Sequence, residues 1–229
     1  MMQGRMYSVD AYVMHDGQMF CLPPVQVMTA HSLGMPGFYG HQGLLPSDLS
    51  PEEIEGAFAA SRAAMRALNL RSTTAHVELF LTDQGWKIIE LAARIGGHRD
   101  LLYREAYGME HFANDLSVHM GQLPAMPGDP IAQTAFLNLY ADEEGYIESI
   151  EGLEEARQLS SIIYLKQHAE VGDLALFAKN GGDQVIDGVL SNPDPAQLHA
   201  DVAKVKQLIR INCKSNPTNG QELLERSIT

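Results

Sequence analysis

Two glutamates, Glu78 and Glu90, are placed in this sequence where they could do chemistry. They flank a turn signal, Asp83-Gln84-Gly85, between alternating segments 75–82 and 86–91 that read as a β-hairpin. A three-residue loop there sets Thr82 opposite Trp86, Phe80 opposite Ile88 and Glu78 opposite Glu90. Side chains alternate faces along a strand, so His76, Glu78, Phe80, Ile88 and Glu90 are expected on one side. Like charges directly across a ladder repel. A divalent cation between them resolves the conflict, since Mg2+ uses one or two carboxylates and fills its shell with phosphate oxygens and water. Mn2+ accepts the same oxygen donors. Two other readings stay open: both carboxylates solvated on an exposed face, or one with a raised pKa.

The residues that follow add an anion site. In Glu90-Leu91-Ala92-Ala93-Arg94-Ile95-Gly96-Gly97-His98, an arginine comes at the end of the strand and two glycines follow. Arg94 offers a fork suited to phosphate or carboxylate oxygens, and Gly96 and Gly97 let a ligand approach the backbone. Together they describe a site for a metal-bound polyphosphate and an anionic intermediate. The plainer reading of Arg94 is an arginine paired with its neighbours, and for His76 and His98 it is a satisfied structural histidine.

These residues need elements to position them. The chain has 229 residues, 45% hydrophobic and 20% charged, which is the composition of an ordinary globular protein. Its 16 Lys and Arg against 29 Asp and Glu give a net charge of −13, which argues against nucleic acid and anionic membrane surfaces as partners. No apolar run is long enough to span a membrane and no signal peptide is visible, so a cytoplasmic location is expected. Cys21 and Cys213 lack metal-ligand spacing and read as idle thiols. Tyr7–Val13 and Met19–Leu22 form a first hairpin, and a Gly/Pro/His-rich stretch from His31 to Gly43 reads as a loop, either a substrate lid or a plain surface loop, its two histidines ten apart without a third ligand making a poor metal site. Ser50-Pro51-Glu52-Glu53 opens a helix with a capping box, with Ile54, Ala57, Phe58, Ser61, Met65 and Leu68 as its buried stripe. Asn69 closes it. Broken helices run from Leu101 to Met120, and Gly121 to Pro130 reads as a linker. Strands follow at 133–140, 146–150, 160–168, 173–178 and 184–191, with turns at 142–145 and 180–183, and Asp194-Pro195 opens a last amphipathic helix.

The run from Thr74 to Gly97 resembles the metal-binding end of the ATP-grasp fold. Within that superfamily it is most similar to carboxylate–amine ligases of the L-amino-acid ligase, dipeptide-forming type. Gly4-Arg5 with Tyr7–Asp10 resembles the strand after the family's adenine hinge. The resemblance implies an α+β chain: the second half of an ATP-grasp domain over 1–125, a small strand-rich domain over 126–211, and a polar tail over 212–229. It implies Glu78 and Glu90 as Mg2+ ligands, Arg94 on the transferring phosphate or acyl-phosphate, and His76, Gly96, Gly97 and His98 near the amino-acid substrate. His76 or His98 would orient the amine or accept its proton. One departure is Ala92, where many ATP-grasp enzymes have a third metal ligand, asparagine; amino-acid ligases share the alanine.

Upstream parts of such a ligase have no counterpart here: a nucleotide-fold domain, lysines gripping the ATP phosphates, and the adenine hinge. The first lysine is Lys87, expected on the opposite strand face from Glu90. A first strand with no evident partner points the same way. The expectation is therefore a C-terminal portion of an ATP- and Mg2+-dependent ligase, inactive alone. Its partners would be small-molecule carboxylate and amine substrates and the missing N-terminal half, in cis or as a separate chain; a homodimer is left open. The competing expectation is a catalytically dead ATP-grasp-derived module that binds a small molecule or a partner chain.

Overall fold

The computed structural model describes residues 4–29, 32, 40–141, 143–176 and 184–215. The first strand, β1 (Arg5–Val13), is buried from Tyr7 to Val13. It is not an open edge. On one side it pairs with β5 (Thr73–Thr82), and on the other with β2 (Met19–Cys21) and β3 (Val25–Thr29). A strand covered on both faces reads as a nearly continuous apolar run, and the exceptions here are Ser8 and Asp10, both on one face.

β4 (Gly40–Leu45) takes up the end of the stretch read as a loop from His31 to Gly43; residues 31 and 33–39 of that stretch lie outside the described residues. Its glycine content misled the sequence reading for a packing reason. The ring of Phe136 fills the space beside Gly43, and a Cβ there would sit 2.0 Å from a ring carbon. The glycine marks a close approach, not a bend. β3 alternates buried and half-buried residues and pairs with β4.

Helix α1 (Pro51–Ala67) begins as expected. Ser50 Oγ accepts from the Glu53 N–H at 3.2 Å, and Glu53 Oε2 accepts from the Ser50 N–H at 2.8 Å. Ala57, Ser61 and Met65 are buried against one face of the sheet, together with Val9, Ala11, Val77 and Leu79. Leu68, expected in that stripe, is 59% exposed because the helix has already ended, and Asn69 takes the left-handed conformation (φ +50°). On the other face lie α2 (Arg99–Tyr107) and α3 (His111–His119), broken at Gly108 (φ +65°). They bury Leu102, Tyr103, Ala106 and Val118 against Tyr12, Leu45 and Phe136.

β5 continues into β6 (Gly85–Ala92), which forms one end of the sheet. The segment 121–130 is without helix or strand but is tied to α3: Asn114 Nδ2 donates to the Ala125 carbonyl at 2.8 Å, and the Ala125 N–H donates to Asn114 Oδ1 at 2.9 Å. β7 (Gln133–Leu139) then pairs with β4, so the sheet runs on without a break. β11 (Ile186–Asn192) and β9 (Ile162–Gln167) extend it. Among the described residues it has nine strands, in the order β6-β5-β1-β3-β4-β7-β11-β9, with β2 beside β1.

A separate three-stranded sheet joins β8 (Gly145–Glu151), β10 (Leu174–Ala175) and β12 (Arg210–Ser215). β12 corrects the tail expected from residue 212, since its first residues pair with β8; residues 216–229 lie outside the described residues, as does the turn at 180–183. The short α4 (Leu153–Ala156) and α5 (Pro195–Leu208), capped by Asp194, close a core of Leu137, Ile186, Leu198, Val202 and Val205. Neither Cys21 nor Cys213 is in a disulfide. Among the described residues no helix is long and apolar enough to cross a membrane.

Candidate active site

The hairpin that holds the two glutamates turns more tightly than the sequence suggests. Thr82 pairs with Gly85, so the loop is Asp83-Gln84, and Leu81, Phe80 and Leu79 pair with Trp86, Lys87 and Ile88. A β-bulge then absorbs Ile89 and returns Glu90 to a position opposite Glu78. The pair expected from the sequence is present, reached by a different register. The bulge also changes the faces. Ile88, paired with Leu79, leaves the carboxylate face, and Lys87, paired with Phe80, joins it. Lys87 therefore lies on the same face as Glu78 and Glu90, not on the opposite one. Trp86 goes to the α1 side, where its indole nitrogen would lie 2.7 Å from a Cβ at Gly56.

Behind Glu78 lies a buried polar network centred on Asp10. β1 and β5 set Asp10 beside His76 and Ser8 beside Glu78. Asp10 is fully buried. Its Oδ1 accepts from His76 Nδ1 at 2.6 Å, and its Oδ2 from His111 Nε2 at 2.9 Å and from the Gly96 N–H at 3.0 Å. Tyr12, its hydroxyl pKa raised chiefly by burial, donates to His111 Nδ1 at 2.6 Å. Arg99 Nη2 donates to Ser8 Oγ at 2.7 Å, and its Nε stands 4.0 Å from Asp10. Burial alone would raise the Asp10 pKa; the hydrogen bonds from His111 and His76 outweigh it and hold the carboxyl well below its ordinary range.

His76 joins this network to the candidate metal pair. Its Nε2 is 3.5 Å from Glu78 Oε1. Burial opposes its charge, but hydrogen bonds to Asp10 and Glu78 raise its pKa above 6.5. The Glu78 pKa is lowered, first by the His76 hydrogen bond, with smaller contributions from the charges of Arg99 and Arg94. Stability from His76 is thus complete below pH 6.5 and lost as pH rises through its folded pKa, whereas that from Asp10 and Glu78 is lost as pH falls through theirs. Urea unfolding should show stability peaking between these limits and declining as pH rises above 6.5 toward the raised pKa of His76. A profile that stays flat from about pH 5 to 8 would contradict a charged His76.

The turn after β6 gives each glycine a different task. A Cβ on Gly96 would come within 2.4 Å of His76 Nδ1, so Gly96 is small because the imidazole presses on it. Gly97 is exposed and faces open space, which fits a place where a ligand meets the backbone. Arg99 Nη1 donates to the Gly97 carbonyl at 3.0 Å and steadies that turn. Arg94 is exposed, and its Nη1 donates to the Ile95 carbonyl at 3.0 Å. His98 takes a left-handed conformation (φ +59°) and stacks on Phe136 with centroids 5.1 Å apart. Its pKa is lowered, chiefly by burial.

Asp10, Arg99 and His111 were not singled out from the sequence. The available signal was Ser8 and Asp10 recurring on one face of an otherwise apolar strand. Among the described residues no group of three or more His, Cys, Asp and Glu side chains could hold a metal ion. The opposed carboxylate pair offers two hard oxygen donors, a number that fits Mg2+ when phosphate and water complete its shell.

No family model matches the chain. The crystal structure of an L-amino acid ligase from Bacillus licheniformis superposes with a TM-score of 0.81 at 19% identity, covering 94% of this chain and 53% of that one. A phosphoribosylglycinamide synthetase from Anaerococcus prevotii gives 0.75 at 18%, covering 93% and 55%. In sequence, carnosine synthase 1 of Mus musculus is 31% identical over 101 residues, 43% of this chain and 12% of that protein. The chain thus spans about half the length of the solved structures it matches. Its mixed α/β architecture, a large antiparallel sheet with helices, matches the second half of the ATP-grasp fold as it stands in that L-amino acid ligase structure.

Proposed function

We propose that this chain is the C-terminal part of an ATP- and Mg2+-dependent ligase that joins a carboxylate, taken to be that of an amino acid, to an amine through an acyl-phosphate. The observation that bears most weight is the register that brings Glu78 opposite Glu90, with Arg94 and the Gly96-Gly97 turn immediately downstream. Glu78 and Glu90 would hold Mg2+, or Mn2+ in its place. A divalent ion bound there neutralises charge on the polyphosphate during transfer. Glu78 stays ionised because His76 donates to it, and His76 is fixed by Asp10. Arg94, exposed at the end of β6, would clamp the transferred phosphoryl group and the oxyanion formed when the amine attacks. Gly97 would let the substrate lie against the backbone.

His76 fits a positioning role better than that of a base. Both its ring nitrogens are engaged and it is 6% exposed. His98 is the better placed of the two histidines to meet substrate.

We further propose that the groups gripping ATP belong to a second lobe, in cis or on a separate chain, because this chain covers 53% of the L-amino acid ligase it resembles. Phosphoryl transfer depends on positioning and electrostatics, and a net charge of −13 gathers no ATP without that lobe. The chain alone is expected to show little or no ATP hydrolysis or ligation. Adding an N-terminal lobe should produce ATP-dependent condensation of amino acids. Isothermal titration with MgATP is the direct test: weak or absent binding is expected, and micromolar affinity would favour an autonomous enzyme. Failure of every added lobe to give turnover, with Mn2+ still unbound, would favour the inactive binding module.

A further inference from the structure

A second polar cluster lies where α2 meets the far part of the large sheet. On β11, Asp187 and Val189 share a face, and Val189 pairs with Phe136 of β7 and Tyr164 of β9. His98, at the start of α2, packs onto this face through its stack on Phe136. His168 reaches it from the end of β9, with Nε2 3.0 Å from Asp187 Oδ1.

The carboxylate at the centre is poorly satisfied. Asp187 is 8% exposed, and among the described residues its Oδ1 has no hydrogen bond; the nearby imidazole is close but out of line. Its Oδ2 is 3.5 Å from the Tyr164 hydroxyl and 3.9 Å from His98 Nε2. Charged hydrogen bonds close to about 2.8 Å when a partner is available, so both contacts are slack. A buried carboxylate left this way is costly. A ligand with several N–H donors removes the cost, and a primary ammonium has three. The Phe136 ring is already taken, with His98 stacked on it and the Arg99 guanidinium 5.5 Å from its centroid, so the polar contact to a ligand falls to Asp187 and the Tyr164 hydroxyl.

The cluster is also in the right place. His98 directly follows Gly97, so the chain passes from the Arg94–Gly97 turn straight into it. We propose that Asp187, with His168 and Tyr164 beside it, is the subsite that holds the amine substrate as a primary ammonium. This deepens the ligase reading and rests on it for the identity of the ligand as a reactant. Burial lowers the pKa of His98 and so weakens its own competition for the Asp187 carboxylate.

Two probes test this on the whole chain without nucleotide: L-alaninamide, an amine with no carboxylate, and N-acetyl-L-alanine, a carboxylate with no amine. Proton NMR of the imidazole rings reads both. L-alaninamide should move the His98 and His168 signals and saturate in the millimolar range. N-acetyl-L-alanine should move neither. Asp187→Asn should weaken the response about tenfold or more, as expected when a charged contact is lost, and Tyr164→Phe should weaken it less. No movement with L-alaninamide, or equal movement with both probes, would overturn the subsite in the unaltered protein, whatever the variants do. Because neither probe engages Glu78 or Glu90, a failure here leaves the metal-site reading standing, and loss of Mn2+ binding leaves this one standing.

Discussion

Asp10→Asn is expected to lose about 3 kcal/mol of folding stability, as removing one partner of a buried ion pair does. The carboxylate accepts from His76, His111 and the Gly96 backbone, and an amide oxygen cannot replace two charged oxygens serving three donors. The amide NH2 would point a donor at one of those donors. Since total stability is about 5–15 kcal/mol, the variant should unfold at much lower urea. Glu78→Gln, half-buried at the same network's edge, should cost less than about 1 kcal/mol by comparison. Urea midpoints for the two variants measure this directly. Equal midpoints would mean that Asp10 is not the centre of the network.

The larger functional effect is expected from Glu90→Gln. Gln keeps the strand and the shape but removes one of the two charges facing the proposed cation. Losing a partner that merely supports a metal ligand costs about 10–100-fold in affinity, so losing a ligand should exceed about 100-fold. Mn2+ binding, followed by electron paramagnetic resonance of the free ion, would record this in the chain alone. With the N-terminal lobe supplied, ATP-dependent condensation should vanish. Stability should be unchanged or slightly higher, because two opposed carboxylates repel when no cation lies between them. Undiminished Mn2+ binding in Glu90→Gln would take the metal site away from this hairpin.

Local features were legible in the sequence and long-range ones were not. The start of α1 is written in four consecutive residues, Ser50 to Glu53, and the structure has both reciprocal bonds. The Glu78–Glu90 pairing came out correctly although the loop length was wrong by one residue, because the bulge at Ile89 offsets the shorter turn. The same bulge is why Lys87 was placed on the wrong face: nothing local signals where a ladder takes its extra residue. The Asp10 network was invisible for a different reason. Its partners lie at residues 76, 96 and 111, and only the sheet and the break at Gly108 bring them together. Gly43 misled because a glycine chosen for the space beneath Phe136 looks, in one dimension, like a glycine chosen for a turn.

The pairing of β4 with β7 sets how this chain can be divided. Leu45 and Thr134 face each other across that seam, and Thr134 Oγ1 donates to the Leu45 carbonyl at 3.2 Å. A chain ended within residues 121–130 would strip β4 of its neighbour and leave a row of unpaired backbone groups along it. Such an edge takes up any strand that offers itself, including one from another molecule. A nick at the same place in the folded protein has the opposite result. The two pieces remain hydrogen-bonded along β4 and β7, with α2 packed across both. Limited proteolysis there would leave an associated pair of fragments that reassembles on mixing, whereas either fragment made separately would tend to aggregate.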